Sequence, residues 1–180
     1  MKYSIVTLSG LPGSGTSTTS DKLSDKLSWS YINAGEIFRE LAKAANMDLN
    51  EFGAHAETDP TIDLELDEKM ISYAEKGDPI IMEGRLVGWM TLQKEIIALR
   101  VWLEADISVR ANRLALREAD SNALDKMKVR EESEIKRYRD FHDIDLRDLS
   151  IYDLVIDTEF NSVDEVVSKI QDRLVGESNC

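Results

Sequence analysis

Short apolar runs alternate along the chain with longer stretches whose apolar positions fall three or four apart. Tyr3 to Leu8 is rich in β-formers and stops at Ser9-Gly10-Leu11-Pro12-Gly13-Ser14-Gly15; beyond it, Leu23 and Leu27 share one face of a predicted helix. Ser30-Tyr31-Ile32-Asn33 is a second β-prone patch, leading into Ala34-Gly35-Glu36 and a helical stretch with Ile37, Phe38, Leu41 and Ala45. Asp59-Pro60 predicts a helix start, with Asp59 as the cap and Pro60 at the first helical position. Ile62, Leu66, Met70 and Tyr73 mark that helix's buried face, and Gly77-Asp78-Pro79 ends it. Ile80-Ile81-Met82, Leu99 to Leu103 and Leu154-Val155-Ile156 read as strands covered on both faces. A long helical tract runs from Ser108 to Phe141 with a break near Asp120-Ser121-Asn122, and a last helix, Ser162 to Leu174, opens on a capping box of Ser162 and Glu165. Strands alternating with helices predict an α/β fold, a parallel sheet flanked by helices, in a single domain over residues 1–180.

Composition narrows the classes. With 180 residues, 42% hydrophobic and 32% charged, the chain has enough apolar material for one core. It contains no run of about 18 uncharged apolar residues, and its first residues enter a strand pattern directly, so neither a membrane span nor a secretory leader is expected. One cysteine, Cys180, and two histidines, His55 and His142, make a disulfide framework or a histidine-built metal site an unfavourable reading. A formal charge of -13 opposes binding to nucleic acid or an anionic lipid surface. A soluble cytoplasmic protein is expected.

Chemistry first becomes legible at Gly10-Leu11-Pro12-Gly13-Ser14-Gly15-Thr16-Ser17, with Thr18 following. This matches the phosphate-loop pattern G-x-x-x-x-G-K-[ST], except that Thr16 stands where a lysine is usual. The glycines let successive N–H groups point inward, the following helix adds its positive end, and Ser17 stands where a hydroxyl would ligate Mg²⁺. A plain Gly/Ser turn is the bland alternative, and the position directly between a strand and a helix argues against it. The usual lysine neutralises transferring phosphates. Its absence leaves two readings: a nucleotide binder without turnover, or an enzyme whose charge comes from cations outside the loop.

The charges are segregated. Asp48 to Asp78 holds ten acidic residues against two lysines, whereas Lys126 to Arg139 holds six basic residues against three glutamates. The basic tract reads either as a solvated helix laced with pairs such as Glu132–Lys136 or as an arginine lid over polyphosphate. The acidic density disfavours any polyanion larger than a mononucleotide.

The loop, then Asn33-Ala34-Gly35-Glu36-Ile37-Phe38-Arg39, Glu83-Gly84-Arg85-Leu86-Val87-Gly88-Trp89, Arg130-Glu131-Glu132-Ser133-Glu134 and Asp148-Leu149-Ser150-Ile151-Tyr152-Asp153-Leu154 follow the order of segments in nucleoside monophosphate kinases. Over nearly its whole length the chain resembles the archaeal type of cytidylate kinase, which often carries threonine at the lysine position. The resemblance implies a P-loop NTPase-type core with a helical acceptor-binding segment at about 34–78 and a short helical lid at about 121–142, both mobile. It implies phosphorylation of CMP and dCMP by ATP with Mg²⁺, in a protein that is a monomer. Arg39 would hold the acceptor's phosphate. Arg85, at the C-terminal end of a strand where α/β sheets place ligands, would act on substrate and in catalysis, or else pair locally with Glu83. Arg113 and Arg117, four apart on one helical face, would pack over the donor base and reach the transferring phosphoryl group, or snorkel over the core edge with Glu118 as partner. Arg130 and Arg137, seven apart, are the expected lid arginines that offset the missing lysine. Cytosine presents an amino donor beside ring acceptors, so its pocket calls for a carboxylate together with an arginine or amide, with Asp59 or Asp63 as candidates. Asp153 is expected to bind the acceptor sugar or base, or to be a turn residue at a strand edge. Other acceptors (AMP, UMP or shikimate) remain the alternative within the enzyme class.

Overall fold

The computed structural model describes residues 2–118 and 122–176. In chain order the elements are β1 (Ile5–Gly10), α1 (Thr16–Leu27), β2 (Ser30–Asn33), α2 (Ala34–Ala44), α3 (Leu49–Ala56), α4 (Pro60–Ala74), β3 (Ile80–Glu83), α5 (Val87–Gln93), β4 (Leu99–Glu104), α6 (Ile107–Glu118), α7 (Ala123–His142), β5 (Leu154–Asp157) and α8 (Val163–Val175). All strand pairings are parallel, in the order β2-β3-β1-β4-β5. The α/β expectation holds. Asp120 and Ser121, where a break in the long helical tract was expected, and Cys180 lie outside the described residues.

Side chains alternate between two cores, as parallel strands buried on both faces require. Val6, Leu8, Ile81, Val101 and Leu103 face Leu23 of α1 and Val167, Ile170 and Leu174 of α8. Ile5, Ile80 and Met82 face Met70 and Ile71 of α4, Met90 of α5 and Tyr138 of α7. One strand departs from its pattern: β5 is the sheet edge, and Val155 is 44% exposed instead of covered. The local starts follow their chemistry. Asp59 accepts from Thr61 N at 3.0 Å ahead of Pro60, and Ser162 and Glu165 form the expected capping box.

The topology fixes where a ligand goes. From β1 the chain crosses to the β2 edge, whereas from β3 it crosses to β4 on the far side. The loops after β1 and β3 therefore diverge and open a crevice at the C-terminal ends of these neighbouring strands.

Two glycines test the packing. A Cβ on Gly88 in α5 would lie 2.7 Å from Cε1 of the Tyr152 ring, whereas one on Gly53 in α3 meets nothing within 4 Å. Gly88→Ala is expected to destabilise by about 1–3 kcal/mol through overpacking. Gly53→Ala is expected to stabilise by about 1 kcal/mol through helix propensity. Thermal unfolding of the two variants beside the parent checks both signs.

Candidate active site

The crevice is a cleft of about 570 Å³ lined by the loop after β1, the start of α2, the β3–α5 turn, α4, α6 and α7. The phosphate loop has left-handed backbone at Gly13 (φ 81°) and Gly15 (φ 92°). A Cβ on Gly10 would sit 2.5 Å from Leu103 O, and one on Gly13 would sit 2.5 Å from Arg110 O, so both approaches demand glycine. Arg110 and Arg113 of α6 brace the loop from outside. Arg110 Nη1 donates to Pro12 O at 3.0 Å, and Arg113 Nη1 donates to Gly13 O at 3.3 Å.

Glu83, the last residue of β3, is the electrostatic centre. It is buried, and its Oε1 accepts from Thr16 Oγ1 at 2.6 Å and Ser17 Oγ at 2.8 Å. Its Oε2 accepts from Asn33 Nδ2 at 2.5 Å and from the Tyr31 hydroxyl. Thus the residue in the lysine's place spends its hydroxyl on a carboxylate. The alternative of a local Glu83–Arg85 pair is not realised, because Glu83 turns toward the loop. Arg85 Nε instead donates to Glu134 Oε2 at 2.8 Å, and Arg130 Nε donates to Glu134 Oε1 at 2.8 Å. Burial pushes the Glu134 carboxyl up, and the Arg85 and Arg130 guanidinium groups outweigh it and hold it below its ordinary range. Burial, then Glu83, drives the Tyr31 phenol well above its ordinary range.

Arg39, Arg85, Arg117, Arg130 and Arg137 all line this cleft, beside the carboxylates of Glu57, Asp63, Glu83 and Glu134. Five guanidinium groups against four carboxylates make it net cationic inside an acidic protein. Arg39 is exposed on α2, and Arg117 is exposed on α6. Arg113, four residues from Arg117, faces a second cleft of about 480 Å³ with Gly15, Thr18 and Phe160. Its guanidinium is held by Thr158 Oγ1 at 2.9 Å and Thr158 O at 2.7 Å. Glu118's side chain, its alternative partner, lies outside the described set. Arg137 is buried rather than poised over the loop: its Nη1 donates to Asp63 Oδ1 at 3.2 Å, and its guanidinium lies 5.5 Å from the Phe38 ring. Asp63 Oδ2 and Arg137 Nε are buried with no hydrogen-bond partner among the described residues. Asp59 caps α4 at the surface and does not line the cleft.

Asp153 is not brought to the cleft. It precedes β5, and its Oδ2 accepts from Arg100 N at 2.9 Å. Ligands gather at the C-terminal ends of a parallel sheet, and this residue stands at the N-terminal start of the edge strand. The pairing of the basic tract also differs from Glu132–Lys136. Lys136 Nζ reaches Glu57 Oε2 at 3.4 Å, and Ser133 Oγ donates to Glu57 Oε1 at 2.6 Å. The acidic and basic segments thus pack on each other, α3 and α4 against α7. Glu134 as an arginine bridge and Tyr31 and Asn33 as partners of Glu83 were missed; a carboxylate at a strand's C-terminal end opposite a lysine-free loop was the available signal.

The sequence profile described as "Cytidylate kinase-like family" matches residues 5–160. The cytidylate kinase of Methanococcus maripaludis is 45% identical over 176 residues, covering 94% of this chain and 98% of that protein. The cytidylate kinase of Methanocaldococcus jannaschii is likewise 45% identical over 176 residues, with the same coverage. Among solved structures, shikimate kinase from Bacteroides thetaiotaomicron superposes with a TM-score of 0.65 at 13% identity, over 95% of this chain and 98% of that one, a likeness of fold.

The α4–α7 contact carries its own test. His142 Nδ1 lies 3.5 Å from Asp67 Oδ2, and burial, then the neighbouring Asp63, pushes the Asp67 carboxyl up to about 7. A folded-state value above the unfolded one means stability present at low pH and lost as pH rises toward about 7. Asp67→Asn is therefore expected to leave the melting temperature little changed below the ordinary carboxyl value of 3.8 and to raise it increasingly above that of the parent as the pH climbs to about 7. Melting curves that stay parallel across this range would contradict the assignment.

Proposed function

The chain belongs to the cytidylate kinase-like family, and we propose that it transfers the terminal phosphoryl group of ATP to CMP and dCMP. The observation that carries this reading is that five arginines and a phosphate loop line one cleft. Phosphoryl transfer asks for positioning and charge neutralisation, and the acceptor phosphate is already a nucleophile at neutral pH, so no general base is needed. The site accordingly offers guanidinium groups and no histidine.

In this reading the loop from Gly10 to Thr18 wraps the donor phosphates with those backbone N–H groups it has free, Pro12 having none and Ser14 N donating to Leu11 O, and Arg113 lies under the donor base in the second cleft. The Ser17 hydroxyl gives its proton to Glu83 and so turns its lone pairs outward, which suits a hard cation that keeps water ligands and takes few protein oxygens. Magnesium held there would supply positive charge to offset that of the phosphates. Arg39 and Arg85 grip the acceptor phosphate, Arg85 aligned by Glu134. Arg117 and Arg130 offset charge on the transferring group, taking the place of the absent lysine. Arg137, paired with Asp63, serves the acceptor base: Asp63 Oδ2 accepts from the cytosine amino group, and Arg137 donates to the ring acceptors. Residues 34–78 form the acceptor-binding segment and residues 121–142 the lid. The enzyme works as a cytoplasmic monomer. No described helix is long and apolar enough to cross a membrane.

A coupled ADP-release assay with Mg·ATP against CMP, dCMP, UMP, AMP, GMP and shikimate tests the proposal. CMP and dCMP are expected to exceed every other acceptor in kcat/KM by at least about 100-fold, the discrimination open to a site whose buried polar groups go unpaired with the wrong base. Preference for another acceptor would overturn the base assignment. ATP binding without turnover of any acceptor would overturn the kinase reading.

A further inference from the structure

Asn33 performs two tasks with one amide. It ends β2 and caps α2, its Oδ1 accepting from Glu36 N at 3.2 Å. Its Nδ2 donates to Glu83 Oε2 at 2.5 Å and to the Tyr31 hydroxyl at 3.0 Å. Asn33 is buried at 8% exposure, and Glu83 is held at its other oxygen by Thr16 and Ser17, the first residues of α1. A continuous hydrogen-bonded path therefore runs from the phosphate loop through Glu83 and Asn33 to the N-terminus of α2, the helix that carries Arg39.

Capping alone does not select asparagine, since serine, threonine and aspartate cap as well. Aspartate cannot donate to a carboxylate, and a serine hydroxyl cannot serve the α2 amide and reach across to Glu83 as a longer amide does. Only a side chain with an acceptor at one corner and a donor at the other meets both demands at this spacing.

We propose that Asn33 is a positioning residue that sets Arg39, and with it the acceptor phosphate, in register with Glu83 and the donor loop. The proposal rests on the kinase reading and adds to it how the two halves of the cleft are referenced to one another. A misplacement of about 1 Å between reacting groups costs on the order of 100-fold in rate, so a single amide at this junction controls the reaction without touching it.

Asn33→Asp keeps the cap and replaces the donor with a second carboxylate against Glu83. Asn33→Ser is a cap without the reach. For both variants kcat with CMP is expected to fall by about 10- to 100-fold, while the KM for ATP stays within about threefold of the parent, because the loop that faces the donor keeps its own residues. Far-ultraviolet circular dichroism and melting temperature report whether both variants are folded. Folded Asn33→Asp or Asn33→Ser with kcat within about twofold of the parent, or a loss carried instead by the KM for ATP, overturns the proposal while the kinase reading stands. A parent protein that turns over no acceptor overturns both.

Discussion

A carboxylate buried at the C-terminal end of a parallel strand must find donors, and Glu83 finds four of them on two other elements. Thr16 and Ser17 come from the start of α1, and Tyr31 and Asn33 come from β2. None is a cation. Where the phosphate-loop pattern places a lysine, this chain has Thr16, whose hydroxyl satisfies a lone pair of Glu83 without bringing a positive charge. Glu83 therefore lies at the floor of the cleft against the Ser17 hydroxyl, with no cation from the loop beside it. The first turn of α1, Ser17 within it, and the cap of α2 are all tied to it. The topology makes this possible, because β1 and β3 are neighbours whose outgoing loops diverge.

The second organising constraint is the pairing of the two oppositely charged segments. Glu57 and Asp63 on the acidic side meet Ser133, Lys136 and Arg137 on α7. Glu134, on the same helix, draws Arg85 and Arg130 together. Buried pairs of this kind add little net stability against well-packed apolar groups, but removing one partner leaves an uncompensated charge. Their value here is geometric: they bring guanidinium groups from the β3–α5 turn and from α7 to one wall of the cleft.

Much of this was legible in the chain. The strand-loop-helix at Gly10–Ser17, the caps at Asp59 and Ser162, and the alternation of elements follow from local rules that no tertiary contact overrides. The arginines at 39, 85, 117, 130 and 137 were read from their segments, and the fold brings all five to the cleft. What stayed hidden depends on contacts distant in sequence. Glu83 is 67 residues from Thr16 and 50 from Asn33, so nothing local shows that it turns from Arg85 toward the loop. Arg137 was expected over phosphate and lies instead against Asp63 and Phe38, because the buried Asp63 on α4 and the ring on α2, both far from it in sequence, hold its guanidinium. Asp153 lies away from the cleft for a topological reason, since it precedes its strand instead of following it. Val155 failed because strand order decides which apolar run becomes an edge.

The measurement nearest the centre is the single-turnover rate of phosphoryl transfer from ATP to CMP in Glu83→Gln. Glutamine keeps the size of the side chain, but its amide nitrogen must face donors on one side or the other, either Thr16 and Ser17 or Tyr31 and Asn33. If the carboxylate organises the cleft, the rate falls by about 100-fold or more while the protein remains folded and still binds ATP. A Glu83→Gln protein that transfers phosphate at the parent's rate would contradict that role.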